Sequence, residues 1–235
     1  GQSAFSEYAV VDAENTVKVP YDDIDLGIVA PLGCGIQTGA GTVLNKLKPE
    51  FGSSIVVFGC GTVGMSAIMA ARIAGCEKII AVGGNPKSLA LALEVGATHT
   101  INRKECDDIV GEIRKITNGG ANYSIDTSGV TDFVRKGLHC LAPLGVEAVV
   151  GITAPMEIDM FGELMAEGKT IMGVIEGAAN PKLFIPKMLE YYKQGRFPVD
   201  KLMKFYDFED INQAFEDSHN GTAIKAVLRM DHKKD

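Results

Sequence analysis

The sequence predicts a doubly wound α/β fold built on a parallel sheet. Three observations carry this expectation. Six short apolar runs recur between Ile55 and Val174, separated by segments of helical periodicity. Two of them, Ile55-Val56-Val57-Phe58 and Ile79-Ile80-Ala81-Val82, are continuous rather than alternating, which suits strands buried on both faces. The hexapeptide Gly59-Cys60-Gly61-Thr62-Val63-Gly64 lies between the first run and the first helical segment.

Taken in order, residues 5–20 alternate loosely and end at Pro20, which predicts one or two short strands. Residues 22–42 are rich in glycine and small side chains and predict short helix mixed with turns. The repeating pattern starts with strand 55–58. Helix 62–74 follows, with Val63, Ala67, Ala70, Ala71 and Ala74 at helical spacing and Gly75 as its end. After strand 79–82, Pro86 suits the first turn of a helix with Leu89 and Leu93 on one face. Gly96 supplies its C-terminal cap. Strand 98–101 leads to helix 107–117, with Ile109, Ile113 and Ile116 on one side. Strand 123–127, helix 131–141, strand 146–150, a helix near 161–166 and strand 170–174 complete the alternation. Such a series implies right-handed crossovers that place helices on both faces of the sheet. Beyond Gly177 the character changes. Helix 183–194 is amphipathic, with Phe184, Met188, Leu189 and Tyr192 in its buried stripe. A further helix over 210–218 and a closing strand over 223–230 follow, and the charged tail 231–235 reads as frayed.

Composition narrows the functional classes. Lys+Arg number 23 against 30 Asp+Glu, a formal net charge of −7 that gives no support to a nucleic-acid partner or an anionic membrane surface. No run reaches the ~18 apolar residues that span a bilayer. The five cysteines, Cys34, Cys60, Cys76, Cys106 and Cys140, are widely spaced and form no CxxC pair. That pattern speaks against a disulfide framework or a compact zinc knuckle and for a reducing, cytoplasmic compartment. The opening residues lack the basic stretch and apolar core of a secretory leader. They also lack an initiator Met, so the expectation is a processed chain or one that begins inside a longer protein.

The residues 59–64 fit G-x-G-x-x-G in the context that pattern requires, directly after a buried strand and opening a helix. The first glycine permits the turn, the second lets the backbone approach a pyrophosphate, and the third allows close helix–strand packing. Helix N-terminal N–H groups then face the phosphates. Gly59, Cys60, Gly61, Thr62, Val63 and Gly64 are therefore candidate dinucleotide contacts on a Rossmann-type sheet. A ligand-free glycine turn and an S-adenosylmethionine site are the competing readings. An acidic residue is expected at the end of the second strand to hold the ribose 2′-hydroxyl. That strand ends Ala81-Val82-Gly83-Gly84-Asn85, with no carboxylate. Gly83 thus removes a repulsion against a 2′-phosphate, and Lys87 is a candidate cation for it, equally readable as a solvated first-turn lysine. NAD and NADP both remain open. Cys34, within Pro31-Leu32-Gly33-Cys34-Gly35, can present a thiolate to a metal or serve as an ordinary small residue.

Gly33-Cys34-Gly35 with Thr38-Gly39, the 59–64 loop, and Glu94-Val95-Gly96-Ala97 together resemble the zinc-dependent, medium-chain alcohol dehydrogenases. Residues 31–40 and 61–71 are most similar to the aryl- or benzyl-alcohol branch, and the resemblance runs from about residue 5 to 230. It implies a catalytic-zinc ligand at Cys34 and a residue packed beside the nicotinamide at Thr38. It implies carboxamide-bordering backbone at Val150, Gly151 and Ile152 and again at Val174, Ile175 and Glu176. Lys225 matches a basic residue reaching the pyrophosphate, where the residue alone reads as a solvated cation. The implied domains are 1–35 and 177–235, remnants of a catalytic domain, around a dinucleotide-binding domain over 36–176. Strand 170–174 resembles the edge through which subunits pair as homodimers or homotetramers.

The resemblance also implies absences. The family's other catalytic-zinc ligands and its four-cysteine structural-zinc lobe have no counterpart here, and His99, His139, His219 and His232 sit at no recognisable ligand position. A catalytic zinc needs three protein ligands and one open position. The expectation is a cofactor-binding part of an oxidoreductase that moves hydride between an alcohol, aryl by resemblance, and a nicotinamide, inactive alone, with zinc completed only in the parent protein. A zinc-free NADPH-dependent quinone or alkene reductase, or a non-catalytic dinucleotide-binding module, are the rival readings.

Overall fold

In the computed structural model, residues 5–230 are described; the tail read as frayed lies outside them. The chain divides into two compact units. One is Gly35–Ala179, and the other joins the segment before it to the segment after it.

The unit that holds the chain's ends begins without the strands expected over 5–20. Over residues 5–20 the one regular element is a 3-10 turn, Ala13–Asn15, capped by the Asp12 carboxylate, which accepts from the Glu14 N–H. Nearly every residue of this stretch is exposed, so its loose alternation has no sheet to pair with. A single helical turn, α1 (Leu26–Val29), starts at Asp25, whose carboxylate accepts from the Gly27 N–H.

The second unit opens with α2 (Gly35–Gly41) and then builds a six-stranded sheet. Its strands are β1 (Ser54–Phe58), β2 (Lys78–Gly83), β3 (His99–Asn102), β4 (Ala121–Asp126), β5 (Leu141–Val149) and β6 (Thr170–Gly173). Their spatial order is β3-β2-β1-β4-β5-β6, all parallel. This is the doubly wound order in which ligands bind where the direction of winding reverses, between β1 and β4. The helices α3 (Thr62–Ala74), α4 (Pro86–Val95), α5 (Ile109–Thr117) and α6 (Thr131–Cys140) make the crossovers.

All five residues of β1 are buried, as its unbroken apolar run requires. Val56 and Phe58 pack with Ile80, Val82 and Ile101 of the sheet against Ile109 and Ile113 of α5. Fully burying side chains of this kind contributes about 1.5–3 kcal/mol each. α3 is buried over eight consecutive residues, Gly64 to Ala71, because α2 covers its outer side. Its small residues let the two helices close up, and a Cβ on Gly39 of α2 would run into the Val63 carbonyl.

Two expectations are corrected here. Leu89 of α4 is buried but Leu93 is 47% exposed. The buried stripe runs through Ser88, Leu89, Ala92 and Val95. Leu93 lies one position past Ala92, turned ~100° away from it. The segment near 161–166 forms a π-helical turn, Met160–Leu164, continued as 3-10 helix Met165–Glu167. Its shape is held from the side, since the Glu163 carboxylate accepts from Arg135 at 2.6 Å, from the Asp159 N–H at 2.9 Å and from His139 at 2.8 Å.

After the second unit, α7 (Pro181–Lys193) buries Phe184, Ile185, Met188 and Leu189, with Tyr192 half-buried. A strand absent from the expectation, β7 (Met203–Asp207), pairs in parallel with β8 (Lys225–Arg229) across α8 (Ile211–His219). Lys204, Tyr206 and Gln213 all donate to the Asp217 carboxylate, at 2.6, 2.6 and 2.8 Å. The hydrogen bond from Lys204 and then those from Tyr206 and Gln213 pull its pKa down to about 2. A depressed carboxyl stabilises the fold above the unfolded-state value near 4 and loses that contribution as pH falls toward 2. Asp217→Asn is therefore expected to lower the urea midpoint at pH 5 more than at pH 2.5; equal losses at both would show that the charge contributes nothing.

Candidate functional site

The carboxyl ends of β1 and β4 lie side by side, with Phe58 opposite Asp126. The loops leaving them flank the position where doubly wound sheets form their ligand-binding crevice. Gly59 has φ +103°, and a Cβ there would come within 2.5 Å of Thr127 Oγ1. That hydroxyl donates to the Phe58 carbonyl at 2.9 Å and so ties the two strand ends together. Gly61 starts α3 in an extended conformation without a side-chain cap. It is exposed, and a Cβ there would meet nothing within 4 Å. Gly64 is the opposite case, since its Cβ would run into the Gly59 carbonyl. The three glycines thus do three separate things: turn, leave open space, and close the helix onto the strand. Open space at an uncapped helix start is a cradle that fits a pyrophosphate. Cys60 and Val63 are half-buried at its sides, and Thr62 begins the first turn.

The second loop depends on residues that the sequence reading passed over. Asp126, fully buried at the end of β4, accepts from the Ser128 N–H at 3.1 Å, Ser128 Oγ at 2.6 Å and the Gly129 N–H at 3.1 Å. Its backbone carbonyl accepts from Val150 and Gly151 at 2.9 and 3.1 Å. Gly129 and Gly151 pack backbone to backbone, leaving Ile152 98% exposed beside them. The signal was present in Asp126-Thr127-Ser128-Gly129, an Asx-turn pattern directly after a strand.

Thr38 lies buried on α2, and its Oγ1 donates to Glu176 Oε2 at 3.4 Å, which also accepts from Gln37 at 3.1 Å. Glu176, Gly177 and Ala178 take left-handed conformations in succession, with φ of +48°, +65° and +47°. Left-handed backbone costs a non-glycine residue roughly 1–2 kcal/mol. Packing holds it in place, because Gly177 is wedged against the Gln37 and Thr38 carbonyls and the Gly41 backbone. Val174 is buried before this turn, while Ile175 is exposed.

The expected acid-free end of β2 has a physical cause. Gly83 is buried, and a Cβ there would sit 2.9 Å from Cys60 Sγ and 3.2 Å from Leu89 Cδ2. The Cys60 thiol fills the place of a side chain, and burial pushes its pKa up to about 12, so it stays neutral. Lys87 is exposed on the first turn of α4, its N–H donating to Asn85 Oδ1. Arg103, which the sequence reading did not single out, follows β3 and donates its N–H to the Gly83 carbonyl at 2.8 Å.

Cys34 and Lys225 belong to the other compact unit. Cys34 is exposed at the end of the 3-10 turn Ala30–Gly33, and Lys225 begins β8, half-buried. The donors do not fit a zinc ion: among the described residues no three His, Cys, Asp or Glu side chains group as metal ligands. Among the described residues, too, no single helix is long and apolar enough to cross a membrane.

Comparison with known proteins gives these features a family. Residues 62–193 match the family model described as zinc-binding dehydrogenase. Geraniol dehydrogenase of Castellaniella defragrans is 40% identical over 231 residues, covering 97% of this chain and 61% of that protein. An alcohol dehydrogenase zinc-binding domain protein from Burkholderia ambifaria superposes with a TM-score of 0.94 at 48% identity, covering 98% of this chain and 62% of the other. Benzyl alcohol dehydrogenase from Acinetobacter calcoaceticus gives 0.93 at 44% identity, with 98% and 64% covered. The chain therefore spans less than two thirds of each relative's length. With the doubly wound sheet, the three-glycine loop and a model match over more than half of its residues, this chain belongs to the zinc-binding dehydrogenase family.

Proposed function

We propose that this chain is the dinucleotide-binding part of an alcohol dehydrogenase acting on a small, aryl alcohol–aldehyde pair. The observation that carries the reading is Gly61, open at an uncapped helix start where the winding of the sheet reverses. The relative named benzyl alcohol dehydrogenase supports the aryl class, and the one named geraniol dehydrogenase, after an acyclic allylic alcohol, supports alcohol oxidation more broadly.

A bound nicotinamide dinucleotide supplies the hydride-accepting and hydride-donating ring. The chain's own work is binding and orientation. The backbone around Gly61 takes the pyrophosphate. The stretches 150–152 and 174–176 border the carboxamide, and Thr38, held by Glu176, packs beside the ring. Strain at Glu176 and Ala178 is consistent with a loop fixed for a ligand rather than for its own comfort. Cys34 remains the proposed zinc ligand of the whole protein, with partners that lie outside the described residues. We also propose that two copies pair through β6. That strand ends the sheet, and Met160, Phe161 and Met165 near it in sequence are exposed.

The test uses the purified 235-residue chain. Titrating the fluorescence of reduced nicotinamide cofactor is expected to show saturable, stoichiometric binding, with well under one zinc per chain and no benzyl alcohol turnover. Absence of cofactor binding overturns the reading. Stoichiometric zinc with ordinary turnover would instead show that unrecognised ligands complete the site.

A further inference from the structure

The adenosine end of the crevice carries a positive group that neither the motif nor the family resemblance assigns. Arg103 lies directly past β3, its backbone clamped to the Gly83 carbonyl at 2.8 Å. Its side chain lies across Gly84, where a Cβ would come within 2.8 Å of Nε and 3.3 Å of Cζ. Gly84 thus provides the berth, and a larger residue there would displace the guanidinium. The far side of the group faces the Phe133 ring, 5.8 Å from Cζ to the centroid.

The charges around it leave it available. Lys104 and Lys87 are exposed cations on the neighbouring segments, and Lys136 approaches the same Phe133 ring at 5.6 Å. Of the carboxylates on those segments, Glu105 accepts from Asn102 Nδ2 at 2.7 Å, Asp108 accepts from the Gly111 N–H at 2.8 Å and Asp132 pairs with Lys136, while Asp107 is exposed. Among the described residues no carboxylate pairs with Arg103. The position at which an acid would bind a ribose 2′-hydroxyl is Gly83, and its side-chain space is taken by the neutral Cys60 thiol. An unpaired guanidinium next to a vacant acid position suits a dianion, because its planar fork bonds phosphate through two N–H groups at once.

We propose that Arg103 reads the 2′-phosphate of the cofactor and makes this protein selective for NADP(H) over NAD(H). The inference rests on the dinucleotide reading of the 59–64 loop and names its specificity. One strong charged hydrogen bond or two weaker ones correspond to a preference of about 30-fold or more.

The test is equilibrium binding by the full chain, with NADPH and NADH as one pair of probes and adenosine 2′,5′-bisphosphate and 5′-AMP as a second. Arg103→Ala and Arg103→Lys are compared with the parent, and circular dichroism melts confirm folding. Expected is tighter binding of both 2′-phosphorylated probes to the parent. Arg103→Ala should erase that preference while leaving NADH affinity within about threefold, and Arg103→Lys should restore part of it, since a lysine keeps the charge without the fork. Equal binding of NADPH and NADH by the parent overturns the proposal while leaving the dinucleotide reading intact. So does an Arg103→Ala variant that weakens both to the same extent, which would make the residue a support for adenine or for the fold. Binding of none of the four probes overturns both.

Discussion

Gly61→Val is expected to weaken dinucleotide binding by about 100-fold or more without lowering the melting temperature. The backbone at Gly61 is extended, with φ −88° and ψ −169°, which valine adopts readily. A Cβ there meets nothing within 4 Å, so the folded chain accommodates the branch. The branch instead fills the space a pyrophosphate needs. Losing two charged hydrogen bonds at about 1.5 kcal/mol each removes about 3 kcal/mol, and each 1.4 kcal/mol is tenfold. Gly64→Ala provides the contrast. A Cβ there enters the Gly59 carbonyl, and backbone cannot swing aside as a side chain can. Overpacking of about 1–3 kcal/mol exceeds the helix-propensity gain of about 1 kcal/mol from replacing glycine. The melting temperature should fall by several degrees. If Gly61→Val destabilised the chain as much as Gly64→Ala, its effect on binding would say nothing about a ligand.

Glu147→Gln is expected to flatten the dependence of stability on pH. Glu147 lies in β5, fully buried, between Ser124 of β4 and Ile171 of β6. Neither carboxyl oxygen finds a hydrogen-bond partner among the described residues. Gly137 of α6 lies directly over it, with no room for a Cβ. Burial, reinforced by the Asp126 carboxylate, raises its pKa to about 9. Above the unfolded value near 4.3, the native state therefore holds a proton that the unfolded chain has released. A raised pKa makes stability greatest below the unfolded value and removes it as pH climbs toward 9. At 1.36 kcal/mol per unit, raising the pH from 5 to 8 costs about 4 kcal/mol. Glutamine keeps the shape and carries no titrating proton. Urea midpoints at pH 5 and pH 8 should separate widely for the parent and nearly coincide for Glu147→Gln. Parallel losses in both proteins would show that water or a partner group already solvates the carboxylate.

Periodicity alone determined the second unit. Runs such as Ile55-Val56-Val57-Phe58 have no polar side to expose, so they must be central strands, and helices between them must cross over the sheet. The three glycines of the 59–64 loop were legible for the same reason: each steric demand falls on one position of a strand–turn–helix. What failed were elements whose partners are distant in sequence. Residues 5–20 alternate like a strand, but a strand needs a neighbour, and among the described residues none pairs with them. Conversely, Met203-Lys204-Phe205-Tyr206-Asp207 carries a weak pattern and becomes β7 only because β8 pairs with it and Asp217 collects its lysine and tyrosine. Likewise, sequence showed that the end of β2 lacks an acid but not why, nor what replaces it. Cys60 lies 23 positions before Gly83 and Arg103 lies 20 after it, and only the folded sheet brings the thiol and the guanidinium to that one strand end. Local chemistry is written in neighbouring letters. A site assembled from the ends of several parallel strands is decided by their register, which the tertiary structure alone supplies.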